Sequence, residues 1–383
     1  MLTLFSALTV LASAGWVWMS WLCHRSEQRL SPLPAELGPP LVGERLSVIV
    51  TACDEAQIIE PALASLLEQQ LEGLEIIVVN DRSTDDTGAI IDRMAEDDPR
   101  IKTLHIETLP NGWLGKVNAM KHGAEHASGD WLLFTDADVV FLPRILDRAL
   151  AHAQQEKLDH LTLLPFMECK SIWLDLAICG FAQVLFSFLR LGSDDPKPFG
   201  AGAFNLVRRS TFERSTGLSW LKMEVADDTG IAFMIANAGG HTRASTAIDG
   251  LRLTWYPSLS AMIRGLEKNA YLLSSQGNPL RFFGVILTMM VANIPWLTIV
   301  IHDSPVATAS ALIALSSFTL ITIKMRLRLN LRPWLAPLAP IGLGLVGMCA
   351  LWSGLQTLRK GGITWRGTFY PLDALIEGQR VKL

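Results

Sequence analysis

Paired cysteines are missing from this 383-residue chain. The five present (Cys23, Cys53, Cys169, Cys179, Cys349) are odd in number, widely spaced and never in a C-x-x-C pair. That argues against a disulfide framework or a zinc site and for reduced, buried thiols. Clusters of basic residues are missing too. The formal net charge is −4, and Lys and Arg are dispersed, so no broad surface for tracking nucleic-acid phosphates is expected. No positive residue precedes the N-terminal apolar run and no small-x-small cleavage signal follows it, which favours an anchor over a signal peptide. What is abundant is apolar character: 50% of residues are hydrophobic, too many for an ordinary soluble enzyme.

The apolar residues are unevenly placed. Leu2 to Leu22 is an uncharged run long enough to cross a bilayer as a helix, so residues 1–23 read as a transmembrane anchor. His24, Arg25 and Arg29 follow, and the positive-inside bias puts the next segment in the cytoplasm, at the inner membrane. Residues 24–45, Pro-rich from Ser31 to Pro40, form a linker.

Over residues 46–275 short β-branched runs alternate with helical patterns. The strand candidates are Leu46 to Thr51, Leu74 to Asn80, Ile101 to Ile106, Trp131 to Thr135 and His160 to Pro165. Such alternation predicts an α/β domain with a mostly parallel sheet, whose ligands bind beyond the carboxyl ends of the strands. Residues 172–191 (Ile172 to Leu191) carry Asp175 and Gln183 within an apolar run, which suggests an amphipathic interfacial helix more than a span. Residues 282–355 hold three long apolar runs. Phe282 to Ile301 and Val306 to Ile323 suit a membrane hairpin, since basic residues follow the second and are missing from the connection His302 to Pro305. Trp334 to Leu355 has basic residues on both sides and contains Pro337 and Pro340. It either spans or re-enters, and the charge rule leans to re-entry. Residues 356–383 are the tail.

The chemistry concentrates at strand ends. Trp-Leu-Leu-Phe-Thr-Asp-Ala-Asp (131–138) is an apolar strand ending in Asp136 and Asp138. Two carboxylates so placed suit a hard divalent cation, Mg²⁺ or Mn²⁺, shared with a substrate diphosphate; loop and helix-cap roles are the alternative. The first strand runs into Asp54 and Glu55. The second runs into Asp81, then Arg82 to Asp86. Ser83, Thr84 and Asp85 are good helix caps, but capping does not call for Asp81, which could accept hydrogen bonds from a nucleobase or ribose. Further on, Glu224-Val225-Ala226-Asp227-Asp228 opens a helix pattern where acidic residues also suit the dipole.

The strings Leu-Ser-Val-Ile-Val-Thr-Ala-Cys-Asp-Glu, Ile-Ile-Val-Val-Asn-Asp-Arg-Ser-Thr-Asp-Asp-Thr and Phe-Thr-Asp-Ala-Asp, in order across residues 46 to 250, resemble glycosyltransferase family 2. Asn111 to Lys116 and Trp365-Arg366-Gly367 resemble its membrane branch linked to hopanoid and carotenoid glycosylation. The resemblance implies a GT-A fold and inverting transfer of a sugar, a hexose above all, from a nucleotide diphosphate to a lipid-like acceptor. It implies that Asp54 or Glu55 and Asp81 hold the nucleoside, that Lys116 faces the nucleotide, and that Asp138 ligates the metal with Asp136 beside it on the nucleotide sugar. Asp227 stands in the first place of the family's Glu-Asp motif, and Asp228 is the implied base. The segment Phe199 to Phe204 would floor the sugar and acceptor site, or would serve only tight packing. Lys121 stands where many relatives have Asn. Arg366 and Arg264 are candidate cations for the leaving group, or membrane-interface residues.

Other readings stay open. A processive polysaccharide synthase would share the core, but its Gln-x-x-Arg-Trp motif is missing after Asp228. A catalytically silent sugar-nucleotide-binding scaffold would lack a metal or base carboxylate, and both are kept. A nucleotidyltransferase would carry a Gly-rich basic loop where Ala52 to Glu55 stand.

Overall fold

The computed structural model describes residues 4–38, 40, 43–189, 197–301 and 304–382. The positions expected to begin or end elements at Leu2 and Leu191, and part of the 302–305 connection, lie outside them. Ten strands form: β1 (Leu46–Ala52), β2 (Leu74–Asp81), β3 (Ile101–Ile106), β4 (Trp131–Asp136), β5 (Val139–Phe141), β6 (His160–Met167), β7 (Asn205–Arg208), β8 (Thr242–Leu253), β9 (Gly362–Trp365) and β10 (Thr368–Pro371). The first eight build one sheet in the order β3-β2-β1-β4-β7-β6-β8-β5. β1 pairs in parallel with β2 and β4, and β2 with β3; β7 runs antiparallel to both β4 and β6. β1, β2 and β4 are almost continuous runs of Val, Ile, Leu and Phe because helices cover both of their faces.

The helices among the described residues are α1 (Leu4–Arg29), α2 (Ile59–Leu67), α3 (Thr87–Asp97), α4 (Gly115–His126), α5 (Ile145–Gln155), α6 (Ile172–Leu189), α7 (Arg209–Arg214), α8 (Asp227–Asn237), α9 (Leu259–Leu266), α10 (Ala270–Ser275), α11 (Pro279–Ala292), α12 (Ile294–Ile301), α13 (Pro305–Arg328), α14 (Ala339–Lys360) and α15 (Leu372–Gly378). α2, α3 and α5 lie toward one side of the sheet and α4 and α8 toward the other, giving two separate apolar cores.

Among the described residues, four segments are long and apolar enough to cross a membrane: Leu4–Arg29, Pro279–Ile301, Pro305–Arg328 and Pro333–Lys360. The first three pack lengthwise. Trp16 Nε1 donates to the Ala292 carbonyl at 2.6 Å, its ring lies 4.5 Å from that of Phe318, and Thr9 meets Thr298 at 2.7 Å. Glu27 and Arg328 pair at 2.9 Å where α1 and α13 end together. α6 lies across these ends, and its polar residues turn inward rather than to an interface. Asp175 pairs with Arg326, both fully buried, and Gln183 donates to Thr322 Oγ1 at 2.6 Å. A lone carboxylate in such surroundings needs a cation, and α13 brings one.

The fourth segment starts with a 3-10 turn, Pro333–Leu338, that takes up Pro337, and then runs as one unbroken helix, α14. α6 and α14 pack backbone to backbone through two glycines: a Cβ on Gly180 of α6 would collide with the Gly342 backbone, and one on Gly342 of α14 with the Leu176 backbone. After α14 the chain is not a loose tail. β9 and β10 form a hairpin whose two-residue turn, Arg366-Gly367, is left-handed at both positions. The chain end is then held by Glu224, whose buried carboxylate accepts from the backbone N–H groups of Arg380 (2.6 Å) and Val381 (2.9 Å). Glu224 thus serves the C-terminus.

Asp175→Asn should destabilise the protein by about 3–5 kcal/mol, because Arg326 keeps its charge with nothing to balance it. Denaturant unfolding in detergent measures this, and an Asp175→Leu/Arg326→Met double variant should recover most of the loss.

Candidate active site

The carboxyl ends of β1, β2 and β4 open into a cleft of about 210 Å³. Glu55 from the β1 end, Asp81 from β2, Lys116 from the first turn of α4, and Asp136 and Asp138 around the end of β4 all line it, and Arg366 reaches it from the hairpin turn. The centre of the arrangement is Lys116. Its Nζ lies 2.7 Å from Asp136 Oδ1 and 3.0 Å from Asp227 Oδ2, joining β4 to the start of α8. Burial works against the ammonium, but Asp136, Asp227 and Asp228 outweigh it and hold its pKa well above the ordinary lysine value. Asp136 stays ionised: burial would raise its pKa, and Lys116 more than offsets that.

The other carboxylates are not so well served. Burial first, then the charges of Asp136 and Glu55, push Asp138 up to about 7. Its Oδ1 is buried with no hydrogen-bond partner among the described residues. Burial and Asp227 push Asp228 up to about 6, and its Oδ1 accepts from the Thr229 N–H at 2.7 Å. Glu55 is raised by burial although it pairs with Arg366. Asp81 is 4% exposed, and both of its oxygens accept from Arg82, at 2.8 and 3.1 Å.

Small residues make this crowding possible. A Cβ on Gly115 would meet the Asp81 carboxylate and the Arg82 guanidinium, one on Gly202 would meet the Asp136 carboxylate, and one on Gly200 would meet the Asp228 backbone. The segment 199–204 therefore packs directly behind the acidic cluster. Asp54, Arg82 and Arg366 all hold left-handed φ angles (56°, 58° and 48°), and non-glycine residues in that region collect at functional sites.

Four expected residues stand outside the cleft lining. Asp227 and Asp228, at the start of α8, lie behind Lys116, whose Nζ meets Asp227 Oδ2 at 3.0 Å. Asp54 is exposed and outside the cleft lining; its carboxylate accepts from Thr84 N at 2.7 Å and ties the β1 and β2 loops together. Arg264 is exposed on α9, also outside the lining. Lys121 faces Glu125 at 2.6 Å, away from the cleft. Lys268, between α9 and α10, was not singled out from the sequence, yet it lines the cleft with its Nζ 3.9 Å from the centre of the Trp365 ring. Burial, then the nearby Lys116 charge, lower its pKa, and it forms no ion pair among the described residues. No motif surrounds it; only the charged break Glu267-Lys268-Asn269 between two apolar helices marked the place.

The donor set suits a divalent cation shared with a ligand. Among the described residues no three His, Cys, Asp or Glu side chains converge to enclose a metal, so the protein would offer the unsatisfied Asp138 carboxylate with Asp136 beside it. Substrate oxygens would complete the shell, as is usual for Mg²⁺.

A mostly parallel sheet with β7 inserted antiparallel and β5 antiparallel at one edge, and acidic residues at the ends of its central strands, is the GT-A architecture. A solved structure, the mannosyltransferase PcManGT from Pyrobaculum calidifontis in complex with GDP-Man and Mn²⁺, shares the fold: TM-score 0.55, 19% identity, covering 93% of this chain and 99% of that one. Residues 47–216 match the family model "Glycosyl transferase family 2". Similar proteins include the GalNAc(5)-diNAcBac-PP-undecaprenol beta-1,3-glucosyltransferase of Campylobacter jejuni, 33% identical over 111 residues, which are 29% of this chain and 35% of that protein. Another is the 4,4'-diaponeurosporenoate glycosyltransferase of Staphylococcus aureus, 32% identical over 110 residues, 29% of this chain and 28% of that one. The chain thus spans about a third of the length of these relatives.

Gly202→Ala should cost about 1–3 kcal/mol through overpacking against Asp136. In a Gly202→Ala/Asp136→Ala double variant most of that cost should vanish, since the colliding carboxylate is gone; a double-mutant cycle of unfolding free energies measures the coupling.

Proposed function

We propose that this protein is an inverting glycosyltransferase that moves a sugar from a nucleotide diphosphate to a lipid-like acceptor at the cytoplasmic face of the cell membrane. The observation that carries the proposal is the double ion pair of Lys116, which lines the cleft and ties the metal-side carboxylate Asp136 to Asp227 at the start of the helix that carries Asp228. The match to the family 2 model supports the transfer chemistry. A nucleotide sugar and Mn²⁺ in the GT-A neighbour, and a lipid diphosphate in the name of one relative, support the donor, the cation and the acceptor class. The basic residues His24, Arg25 and Arg29 after α1, and those from Lys324 to Arg332 around the end of α13, support the cytoplasmic orientation.

In the reaction Asp228 accepts the proton of the acceptor hydroxyl as its oxygen bonds to the anomeric carbon. The bond from that carbon to the diphosphate oxygen breaks on the opposite face, its electron pair leaving with the nucleoside diphosphate, so the configuration inverts. A divalent cation bound at Asp138 would offset the charge developing on the leaving group. Lys268 and Arg366 add fixed positive charge from the other wall, Arg366 exchanging Glu55 for phosphate oxygens. Glu55 and Asp81 sit where the nucleoside can be held. The paired carboxylates argue against a silent scaffold.

Membranes holding the protein, incubated with labelled nucleotide sugars and extracted, should carry label into the lipid phase; label that stays in water removes the lipid-acceptor proposal. Asp228→Asn should lower turnover by about 10²–10⁴-fold with the protein still inserted and still binding donor. A carboxylate raised to about 6 is an active base only above that pH, so turnover should fall as pH drops through about 6, and Asp228→Asn should lose that acidic limb. Lys268→Met should slow turnover on the order of 10²-fold with little change in the KM for acceptor.

A further inference from the structure

We infer that residues 333–360 do not cross the bilayer but enter and leave it by the catalytic face, with one side of α14 bedded in the acyl chains of the leaflet under the cleft. This rests on the membrane part of the proposed function, the crossings of α1, α11–α12 and α13, and not on sugar transfer.

The contacts at the two ends carry the inference. On entry, Arg328 pairs with Glu27 and donates to the Leu30 carbonyl at the end of α1, and Arg332 donates to the Cys169 carbonyl just after β6 at 3.3 Å. On exit, Lys360 pairs with Glu267 at 2.5 Å, Arg366 with Glu55 at the cleft, and the backbone of Arg380 and Val381 with Glu224. The exit is therefore held by the catalytic domain, and the entry by Cys169 of that domain and by the end of α1. A crossing would put about 30 Å of hydrocarbon between them and strand the hairpin on the far side from Glu55 and Glu224. The basic residues flanking the segment, Arg332 before it and Arg359 and Lys360 after it, obey the positive-inside bias only if both flanks share one side.

The outer face of the segment identifies what covers it. Trp334, Leu338, Ile341, Met348, Trp352 and Leu355 recur at spacings of 4, 3, 7, 4 and 3 along one side, each at least 41% exposed. The opposite side is filled by α6 at Gly342 and by Phe282 of α11 at Gly354. The exposed stripe adjoins Phe283, Leu287 and Met290 of α11, a helix of the crossing set that shows the same apolar exposure. Lipid acyl chains are the one medium that meets both. Gly361 alone separates α14 from the β9–β10 hairpin. The bilayer thus sets the height of Arg366 and Tyr370 at the cleft, level with a lipid headgroup whose hydroxyl would be the acceptor.

Single-cysteine additions to the full chain test this in sealed vesicles of one orientation, with a membrane-impermeant maleimide and the unchanged protein as baseline. Glu96→Cys marks the catalytic face, Val306→Cys the far end of α13, and Lys382→Cys the C-terminus. Lys382→Cys should label from the same side as Glu96→Cys, and Val306→Cys only from the other. Lys382→Cys labelling together with Val306→Cys would overturn the inference. Met348→Cys should stay unlabelled from both sides and react once detergent replaces the lipid; labelling in sealed vesicles would refute the lipid contact. A failure here leaves the transferase proposal standing, and a protein without transferase activity leaves the topology standing.

Discussion

The ammonium of Lys116 makes the rest of the cleft possible. Asp136, Asp138, Asp227, Asp228 and Glu55 crowd around it, most of them half-buried, and like charges so placed cannot all stay ionised unaided. One cation bridges Asp136 and Asp227 and keeps Asp136 ionised, and the shortfall falls on carboxylates it does not touch. Asp138 and Asp228 rise to about 7 and about 6. Those are the two positions where the proposed chemistry asks for a group that would gain from a bound cation and for a group able to take up a proton. The same charge balance explains why Lys268 is placed without a carboxylate of its own among the described residues: the acidic cluster as a whole faces it, and an incoming diphosphate would bring the rest.

The scaffold puts these charges together with backbone more than with side-chain bulk. β1, β2 and β4 end side by side because they are parallel neighbours in register, so residues far apart in sequence arrive at one edge. Gly115, Gly200 and Gly202 then remove the Cβ atoms that would hold the acidic groups apart. The cost is borne in left-handed turns at Asp54, Arg82 and Arg366, each braced by a side-chain contact: Asp54 by Thr84, Arg82 by Asp81, Arg366 by Glu55.

Much of this was legible in the sequence because the catalytic core writes itself in short local runs. The five strand candidates formed with their starts unchanged and their ends moved by no more than two residues, since an apolar β-branched run between turn residues has few other options. The α/β fold of GT-A type was legible for the same reason, and so was the resemblance to glycosyltransferase family 2 over residues 47–216. Long-range pairing was not. Nothing near Arg366 in the chain points to Glu55, 311 positions away, and Glu224 looked like part of the acidic motif although it spends its carboxylate on Arg380 and Val381. Asp175 and Gln183 suggested an interfacial face because polar residues in an apolar helix usually seek water; here they found Arg326 and Thr322 inside the bundle. Periodicity shows which residues share a face of a helix, and it does not show what that face will meet.

The C-terminal segment shows why composition alone cannot settle a membrane topology. Length and hydropathy make Pro333–Lys360 equivalent to Pro305–Arg328, yet the two differ in how their ends are bound. One end of Pro305–Arg328 is tied to the catalytic side through Glu27; Pro333–Lys360 is tied there at both. Burying an apolar stripe requires lipid on one side of a helix and says nothing about where the helix must emerge. The contacts at the two ends bear on that, because placing Glu224 and Glu55 on one side of a bilayer and their partners on the other would forfeit the contacts that tie the last twenty residues to them. A domain whose cleft wall is built from those residues therefore constrains its own topology, and the chemistry of the cleft and the path of the chain through the membrane become one problem.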